Sequence, residues 1–217
     1  MESKVKLSTF SLISYDHHSK TWHSWLTFSL YMIKEFNTYL ANVDSEFWSR
    51  LILEHGILRI FHKGEEFIAI GEVGKYIGLI KSGSVKYVAY TSRHDERIVG
   101  LETVGGFAAS WPFCLHKIPS LVSIIANTDT EIYCLPVARL NELTKENPEI
   151  ERQIAQSTEQ VFYTAYERLI GFYVQTPKER YEELFRKCPK IFEIFDLKDI
   201  ASFLNITPQH LSRLKKC

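Results

Sequence analysis

The sequence has few cysteines, no net charge and no long apolar run, and each absence excludes a class of protein. Its four cysteines are far apart and form no C-x-x-C pair, so neither a disulfide scaffold nor a zinc-binding domain is expected. This cysteine usage predicts a cytoplasmic protein. Lys and Arg together number 26, as do Asp and Glu, which argues against a protein that holds nucleic acid by bulk charge alone. The apolar stretch 22–33 is interrupted by polar residues and is shorter than the about 20 residues of a membrane span, so no membrane partner is predicted.

Signals of catalysis and of metal binding are equally scarce. No Ser-His-Asp order, phosphate-binding loop or Gly-x-Gly-x-x-Gly stands out, so the sequence predicts a protein that is not an enzyme. His55, His62, His94 and His116 are scattered, His17, His18 and His23 lie in the first 31 residues, and no His-x-His pair occurs. A cupin-like metalloprotein, which is the enzymatic alternative, would need clustered histidines. No metal and no other cofactor is therefore expected.

The character of the sequence changes along the 217 residues. Residues 1–31 mix Ser, Thr, His and aromatic residues without a sustained period, and we interpret them as a leader of uncertain role; translation from Met32 is one hypothesis. Between Gly56 and Leu135, short β-branched and aromatic runs alternate with glycine-bearing turns, which predicts an antiparallel sandwich, barrel or roll. After Pro136 the spacing of apolar residues becomes helical.

One long helix is predicted from Glu149 to Val174. Its apolar residues recur at steps of three and four, with a polar interruption at Ser157 and Thr158. Such a helix can cap the β domain or pair with its copy, and its length favours a dimer. The predicted dimer seam contains Ile150, Ile154, Val161, Phe162, Ala165, Leu169 and Phe172.

The last residues have the spacing of two short helices joined by a tight turn. Ala201 is small where the helices would approach each other, and Asn205 tolerates the left-handed conformation that a tight turn requires. No acidic residue occurs from Asn205 onward, so an outward face there could meet base edges and phosphates of DNA. A helical hairpin with a solvated basic face is the alternative. The predicted DNA-binding residues are Thr207, Pro208, Gln209, His210, Ser212, Arg213 and Lys216.

Three segments, in this order, resemble the Crp/Fnr family of bacterial transcription regulators. Residues 76–86 (YIGLIKSGSVK) resemble the strand-turn-strand of the cyclic-nucleotide-binding β-roll, 176–184 (TPKERYEEL) the start of the DNA-binding domain, and 200–213 (IASFLNITPQHLSR) its helix-turn-helix. The resemblance runs from about residue 33 to residue 216. It implies a homodimer that binds a palindromic operator in double-stranded DNA, an effector in the β-roll, and RNA polymerase as a further candidate partner.

The resemblance also implies a fold class and a domain order. We expect an α+β protein with an N-terminal antiparallel β-roll of jelly-roll type and a C-terminal helix-turn-helix of winged-helix type. The predicted division is a leader at 1–31, an effector-sensing β-roll at 32–148, a dimerisation helix at 149–174 and a DNA-binding domain at 175–217.

The predicted effector pocket departs from the family pattern. Nucleotide-binding members carry Gly-Glu and, further along, Arg followed by Ser or Thr, whereas this chain has Ala109-Ser110 and Ser120-Leu121. A cyclic phosphate would lack a charge-assisted partner there, so tight cyclic AMP binding is not expected and the small-molecule effector is unidentified. A filled apolar core is the alternative to a pocket. The residues assigned to the pocket are Phe107, Ser110, Trp111, Ser120 and Leu121.

The DNA-binding end departs from the pattern as well. Cyclic-AMP-type members often carry Arg-Glu where this chain has Pro208-Gln209, which predicts a different operator preference. Members usually continue into a β wing, and this chain ends at Cys217, which predicts a truncated wing. Because phosphate contacts supply much of the affinity for DNA, the alternative function is a degenerate β-roll sensor or scaffold that has lost DNA binding.

Overall fold

The computed structural model describes residues 43–216. Within this range, helix α1 (Ser45–His55) precedes eight strands, and six further helices follow them. The strands are β1 (Ile57–Phe61), β2 (Glu66–Ile68), β3 (Tyr76–Ser82), β4 (Ser84–Tyr90), β5 (Glu96–Thr103), β6 (Phe107–Ala108), β7 (Ser123–Ala126) and β8 (Thr130–Pro136). The later helices are α2 (Val137–Glu146), α3 (Pro148–Val174), α4 (Pro177–Lys187), α5 (Ile191–Ile194), α6 (Leu197–Phe203) and α7 (Pro208–Leu214).

The strands form two four-stranded antiparallel sheets. One sheet has the order β1-β8-β3-β6 and the other has the order β2-β7-β4-β5. Buried side chains of both sheets, such as Ile80 and Ile132 from the first and Val85 and Ile124 from the second, form the core between them. This arrangement is the jelly-roll that the strand spacing and the resemblance predicted.

Two glycines permit close packing in this β-roll. Gly83 joins β3 to β4 with a φ of +84°, a conformation that side chains with a Cβ rarely adopt. A Cβ on Gly78 would lie 2.5 Å from Cγ2 of Ile132, so the absence of a side chain there lets β3 approach β8.

Local chemistry sets the starts of the later helices. Asn147 accepts a hydrogen bond from the Glu149 amide at the start of α3. Thr176 and Glu179 form a reciprocal capping box at the start of α4. The hydrogen bonds from the Thr176 amide and hydroxyl hold the pKa of Glu179 below its ordinary value.

Two further cores attach the helices to the β-roll. The first packs α1, α2 and the start of α3 against the β1-β8-β3-β6 sheet, with Ile52, Leu135 and Leu140 at its centre. The second packs α4 to α7 against β4 and β5, where Ile98 and Leu101 meet residues of the C-terminal helices. The structure therefore holds the C-terminal helices directly on the β-roll.

The α+β fold class is confirmed. The helices predicted from Glu149 to Val174 and at the C-terminal end are present, and α3 begins one residue earlier, at Pro148. The leader at 1–31 and the start at Met32 lie outside the described residues, and the domain division stays a prediction. In residues 43–216, no helix is both long enough and apolar enough to cross a bilayer. This same part of the chain brings no three His, Cys, Asp or Glu side chains together as metal ligands.

Candidate DNA-binding surface and effector cavity

Helices α6 and α7 form a helix-turn-helix. Asn205 occupies the turn with a φ of +55°, which confirms the left-handed conformation expected there. The Ile206 amide donates to the Ala201 carbonyl at 3.0 Å and closes the turn. Ala201 is fully buried, as a small residue between two closely packed helices should be. Leu211 of α7 is also fully buried and anchors the second helix.

The outward side of α7 carries the predicted DNA-binding residues. Thr207 caps the helix, since its Oγ1 accepts a hydrogen bond from the His210 amide at 3.2 Å. Pro208 occupies the first turn, where its missing N–H costs nothing. All seven residues lie on α7 or directly beside its ends, and their assignment to DNA binding stays a prediction. Pro208 and Ser212 are half-buried, and the exposed members are Thr207, Gln209, His210, Arg213 and Lys216.

Helix α6 is fixed to the β-roll of the same chain. Lys86 Nζ on β4 lies 3.1 Å from Asp199 Oδ2, and the two side chains are 21% and 12% exposed, so solvent screens this ion pair less than a surface pair. Ser202 Oγ accepts a hydrogen bond from the Ile98 amide of β5 at 2.9 Å. These contacts set the orientation of the helix-turn-helix relative to the two sheets.

Arg168, in the middle of α3, joins three elements. Its guanidinium donates to the Val99 carbonyl on β5 and to the Phe203 carbonyl at the end of α6, the latter at 3.0 Å. The same group lies 3.9 Å from the ring centroid of Phe203. Arg180 donates to the next carbonyl, that of Leu204, at 3.3 Å. Two arginines thus pair with carbonyls that the end of a short helix leaves without intrahelical partners.

Sequence reasoning missed Arg168 and Arg180. Arg168 donates to carbonyls 69 and 35 residues away along the chain, and no local spacing reports such partners. The one available signal is a cationic residue within the apolar pattern of a long helix.

A cavity of about 230 Å³ lies where the β-roll meets α1 and α3. All five residues assigned to the effector pocket line it, with Leu121 at 66% exposure and Ser110 and Ser120 buried. A pocket is therefore present where a filled core was the alternative. The described residues that line it are Val43, Trp48, Ile77, Tyr87, Phe107, Ala109, Ser110, Trp111, Phe113, Ser120, Leu121, Val122, Ser157 and Val161.

Among residues 43–216, the lining contains no Asp, Glu, Lys, Arg or His. His116 and Lys117, which are close to Ser120 in the sequence, are exposed to solvent and do not line the cavity. Tyr87 donates its hydroxyl to the Phe107 carbonyl at 2.9 Å, and Ser120 donates to the Val122 carbonyl at 2.7 Å. The cavity thus offers no cationic partner to a phosphate.

Ser110 stands out among the polar residues of the lining. Its Oγ is buried and makes no hydrogen bond within the described part of the chain. The hydroxyl lies against Gly74, where a Cβ would come within 2.6 Å of it. Burial raises the pKa of the neighbouring Cys114 thiol to about 11. Cys114 is therefore a neutral thiol at physiological pH.

Two tryptophans connect the cavity to α3. Trp48 Nε1 donates to Ser157 Oγ at 2.8 Å, and Trp111 Nε1 donates to Thr158 Oγ1 at 3.1 Å. The two indole rings meet edge to face with centroids 5.6 Å apart. Ser157 and Thr158, which interrupt the apolar pattern of α3, are thus the acceptors for two indole N–H groups.

The residues predicted as the dimer seam divide between three environments. Ile150 is 2% exposed within the single chain and Ile154 packs beside it, so both belong to the core against the β-roll. Val161 lines the cavity and Phe172 is half-buried beside Arg168. The remaining members, Phe162, Ala165 and Leu169, are exposed.

The exposed apolar face of α3 is therefore shifted toward its C-terminal half. It consists of residues spaced four, three and four apart along the helix, a pattern that the sequence does contain. Their exposures are 61%, 53%, 49% and 81% for Phe162, Tyr166, Leu169 and Tyr173.

Several known proteins are similar to this chain. Residues 58–147 match the cyclic nucleotide-binding domain family. A probable transcriptional activator of Rhizobium leguminosarum bv. viciae is 27% identical over 175 residues, covering 76% of this chain and 71% of the relative. The structure of FixK2 from Bradyrhizobium japonicum has a TM-score of 0.63 at 19% identity, covering 74% of this chain and 83% of that one. The structure of CLP from Xanthomonas campestris, a c-di-GMP responsive global regulator, has a TM-score of 0.59 at 15% identity, covering 80% and 90%. At these identities the structural likeness shows a shared fold.

Proposed function

We propose that this chain is a Crp/Fnr-type transcription regulator that binds duplex DNA as a homodimer through α7. The match of residues 58–147 to the cyclic nucleotide-binding domain family and the similarity to a probable transcriptional activator support the proposal. The observation that carries the proposal is the outward side of α7. Gln209, His210 and Arg213 are exposed there, and no acidic residue occurs between residues 205 and 216. We place this activity in the cytoplasm, as the cysteine usage suggests.

The side chains on α7 suit the contacts that a DNA groove requires. Gln209 is in the first turn, and an amide can pair with both edge groups of an adenine. Arg213, one turn further along, can reach a guanine edge or a phosphate oxygen. Because α6 is packed on the β-roll, these side chains are presented by a rigid element, which lowers the entropy cost of binding.

The exposed apolar face of α3 supports a homodimer. Large side chains such as Phe162, Leu169 and Tyr173 lie in solvent in the single chain, at the spacing of a helix that pairs with its copy. A two-fold pair of chains would present two α7 helices to half-sites about 34–36 Å apart on one face of the duplex. The preferred DNA site of such a dimer is a palindrome.

The chemistry of the cavity argues against tight binding of a cyclic nucleotide. A phosphate that enters it loses its hydration, and the lining has no charge to compensate for that loss. We therefore propose that the effector of this regulator is not cyclic AMP.

Selection of bound DNA from a random duplex pool tests the proposed function. We expect enrichment of a palindrome whose half-sites are one helical turn apart. A variant with Gln209, His210 and Arg213 all changed to Ala should enrich nothing above background. As a control, Lys178→Ala removes an exposed cation from α4 and should enrich the same palindrome. The absence of any enriched sequence with the unaltered protein would support a sensor or scaffold that does not bind DNA.

A further inference from the structure

Among the described residues that line the cavity, one buried polar side-chain atom lacks a hydrogen bond. The Tyr87 and Ser120 hydroxyls donate within the chain, and Ser157 accepts from the Trp48 indole. The Ser110 hydroxyl, in a residue that is 5% exposed, is the polar side-chain group of the lining that lacks a hydrogen bond in the described structure. A charged ligand would therefore be dehydrated without compensation, while an apolar ligand with one polar group loses little.

The size of the cavity limits its occupant. An apolar cavity of about 150 Å³ in another protein stays dry and binds benzene. The cavity of this chain is about 230 Å³ and is walled by Trp48, Phe107, Trp111 and Phe113. These dimensions suit a molecule of one or two rings. Leu121, which is 66% exposed, marks the open side through which such a molecule can enter.

The cavity also touches the helix that carries the exposed apolar face. Ser157 and Val161 of α3 form part of its wall, and Phe162, the first residue of the exposed face, follows Val161 directly. Trp48 lines the cavity and is bonded to Ser157, and Trp111 lines it and is bonded to Thr158. A molecule that displaces either indole therefore acts on α3 beside the surface on which a second chain would pack.

We propose that this cavity binds a neutral, largely apolar molecule of one or two rings, and that the Trp48 and Trp111 indoles transmit its presence to α3. The inference rests on the proposed function only for the consequence of binding on DNA. The ligand class itself follows from the uncharged and largely aromatic lining among the described residues.

Titration of the full chain with N-phenyl-1-naphthylamine, a neutral apolar dye that becomes fluorescent on leaving water, tests the ligand class. We expect saturable binding of one dye per chain, a change in tryptophan emission, and no displacement of the dye by cyclic AMP. Non-saturable binding, or displacement of the dye by cyclic AMP, would overturn the proposal.

Variants locate the dye. Val161→Trp fills the cavity and Ser110→Asp places a charge in its wall, and each should weaken dye binding by about tenfold or more. The matched control is Arg152→Ala, which removes an exposed side chain of the same helix outside the lining and should change dye affinity by less than about twofold. Phe162→Ser removes the exposed ring next to the cavity, on the face where a second chain would pack. Circular dichroism identifies a variant that fails to fold. The dye titration of the unaltered chain tests the ligand class whether or not that variant folds. Loss of binding in Phe162→Ser with no change in the two cavity variants would place the dye on the helix surface and contradict the proposal.

A second readout tests the transmission. Trp48→Phe and Trp111→Phe remove the two indole N–H donors, and dye binding to the double variant should no longer alter the dimerisation constant measured by sedimentation. An unchanged effect of the dye on dimerisation in the double variant would refute transmission through the indoles. Because the titrations contain no DNA, a chain that binds dye but no DNA contradicts only the proposed function, and the reverse result contradicts only this inference.

Discussion

Replacement of Arg168 by Ala should loosen the attachment of the helix-turn-helix to the β-roll. The guanidinium donates to the carbonyls of Val99 and Phe203 and stacks on the Phe203 ring. These contacts join α3, β5 and α6, so their loss acts on all three elements together. Arg168→Lys keeps the charge but cannot donate in two fixed directions, so it should retain only part of the stabilisation that Arg168 provides.

The magnitude follows from the contacts. A hydrogen bond from a charged donor contributes about 1.5–3 kcal/mol, and a desolvated cation–π contact contributes about 2 kcal/mol. These contributions overlap because one side chain makes all of them, so we expect Arg168→Ala to lower the free energy of unfolding by about 3 kcal/mol. Arg168→Lys should lower it by about half as much, since one donor can still reach one carbonyl.

Urea unfolding followed by far-UV circular dichroism measures this difference. Arg152→Ala is the matched control on the same helix, because Arg152 pairs with Glu149 at the surface, where its side chain is 59% exposed. It should cost less than about 1 kcal/mol, as exposed ion pairs usually do. Equal midpoints and slopes for Arg168→Ala and Arg152→Ala would refute the structural role assigned to Arg168.

Three further predictions concern the turn, the start of α3 and the exposed face of α3. Asn205→Ala should lower the free energy of unfolding by about 1 kcal/mol, because alanine at a φ of +55° lacks the short polar side chain that lets Asn tolerate this conformation. Asn205→Gly should be nearly neutral, and chemical denaturation of both variants checks this. The hydrogen bond from Arg152 lowers the pKa of Glu149 from its ordinary 4.5 to about 2. The contribution of that carboxylate to stability is therefore complete above pH 4.5 and is lost as the pH falls toward about 2, and Glu149→Gln should remove this part of the decline in a series of melting curves against pH. Leu169→Glu places a charge on the exposed apolar face, so the variant should sediment as a monomer in sedimentation velocity. A variant that still sediments as a dimer would show that the dimer interface lies elsewhere.

Much of the local structure could be predicted from the sequence because its causes are local. Thr176 and Thr207 begin helices because their hydroxyls reach amides three residues along, and both caps are present. Asn205 occupies the left-handed turn, a conformation that Asn tolerates better than most residues. The cavity residues were found through a family resemblance, which supplied the long-range information that spacing lacks.

Long-range packing explains what the sequence could not show. The periodicity of α3 reports that Ile150 and Leu169 are apolar, but the β-roll covers the first and leaves the second exposed. Ser157 interrupts the apolar pattern of α3, and the sequence gives no reason for this because its hydrogen-bond partner, Trp48, is 109 residues away. The partners of Arg168 are equally distant in the chain, so only the folded structure reveals its role.

The salt dependence of operator affinity tests the central claim, that the outward side of α7 binds DNA, most directly. With the selected palindrome, the logarithm of the binding constant should fall linearly with the logarithm of salt concentration, with a slope of about −0.9 for each phosphate contacted. Arg213→Ala should weaken binding by about 1–3 kcal/mol if Arg213 contacts a base, or reduce the slope by about 1 per contact if it contacts a phosphate. An affinity that does not change with salt, or an Arg213→Ala variant indistinguishable from Lys178→Ala in both affinity and slope, would contradict the claim.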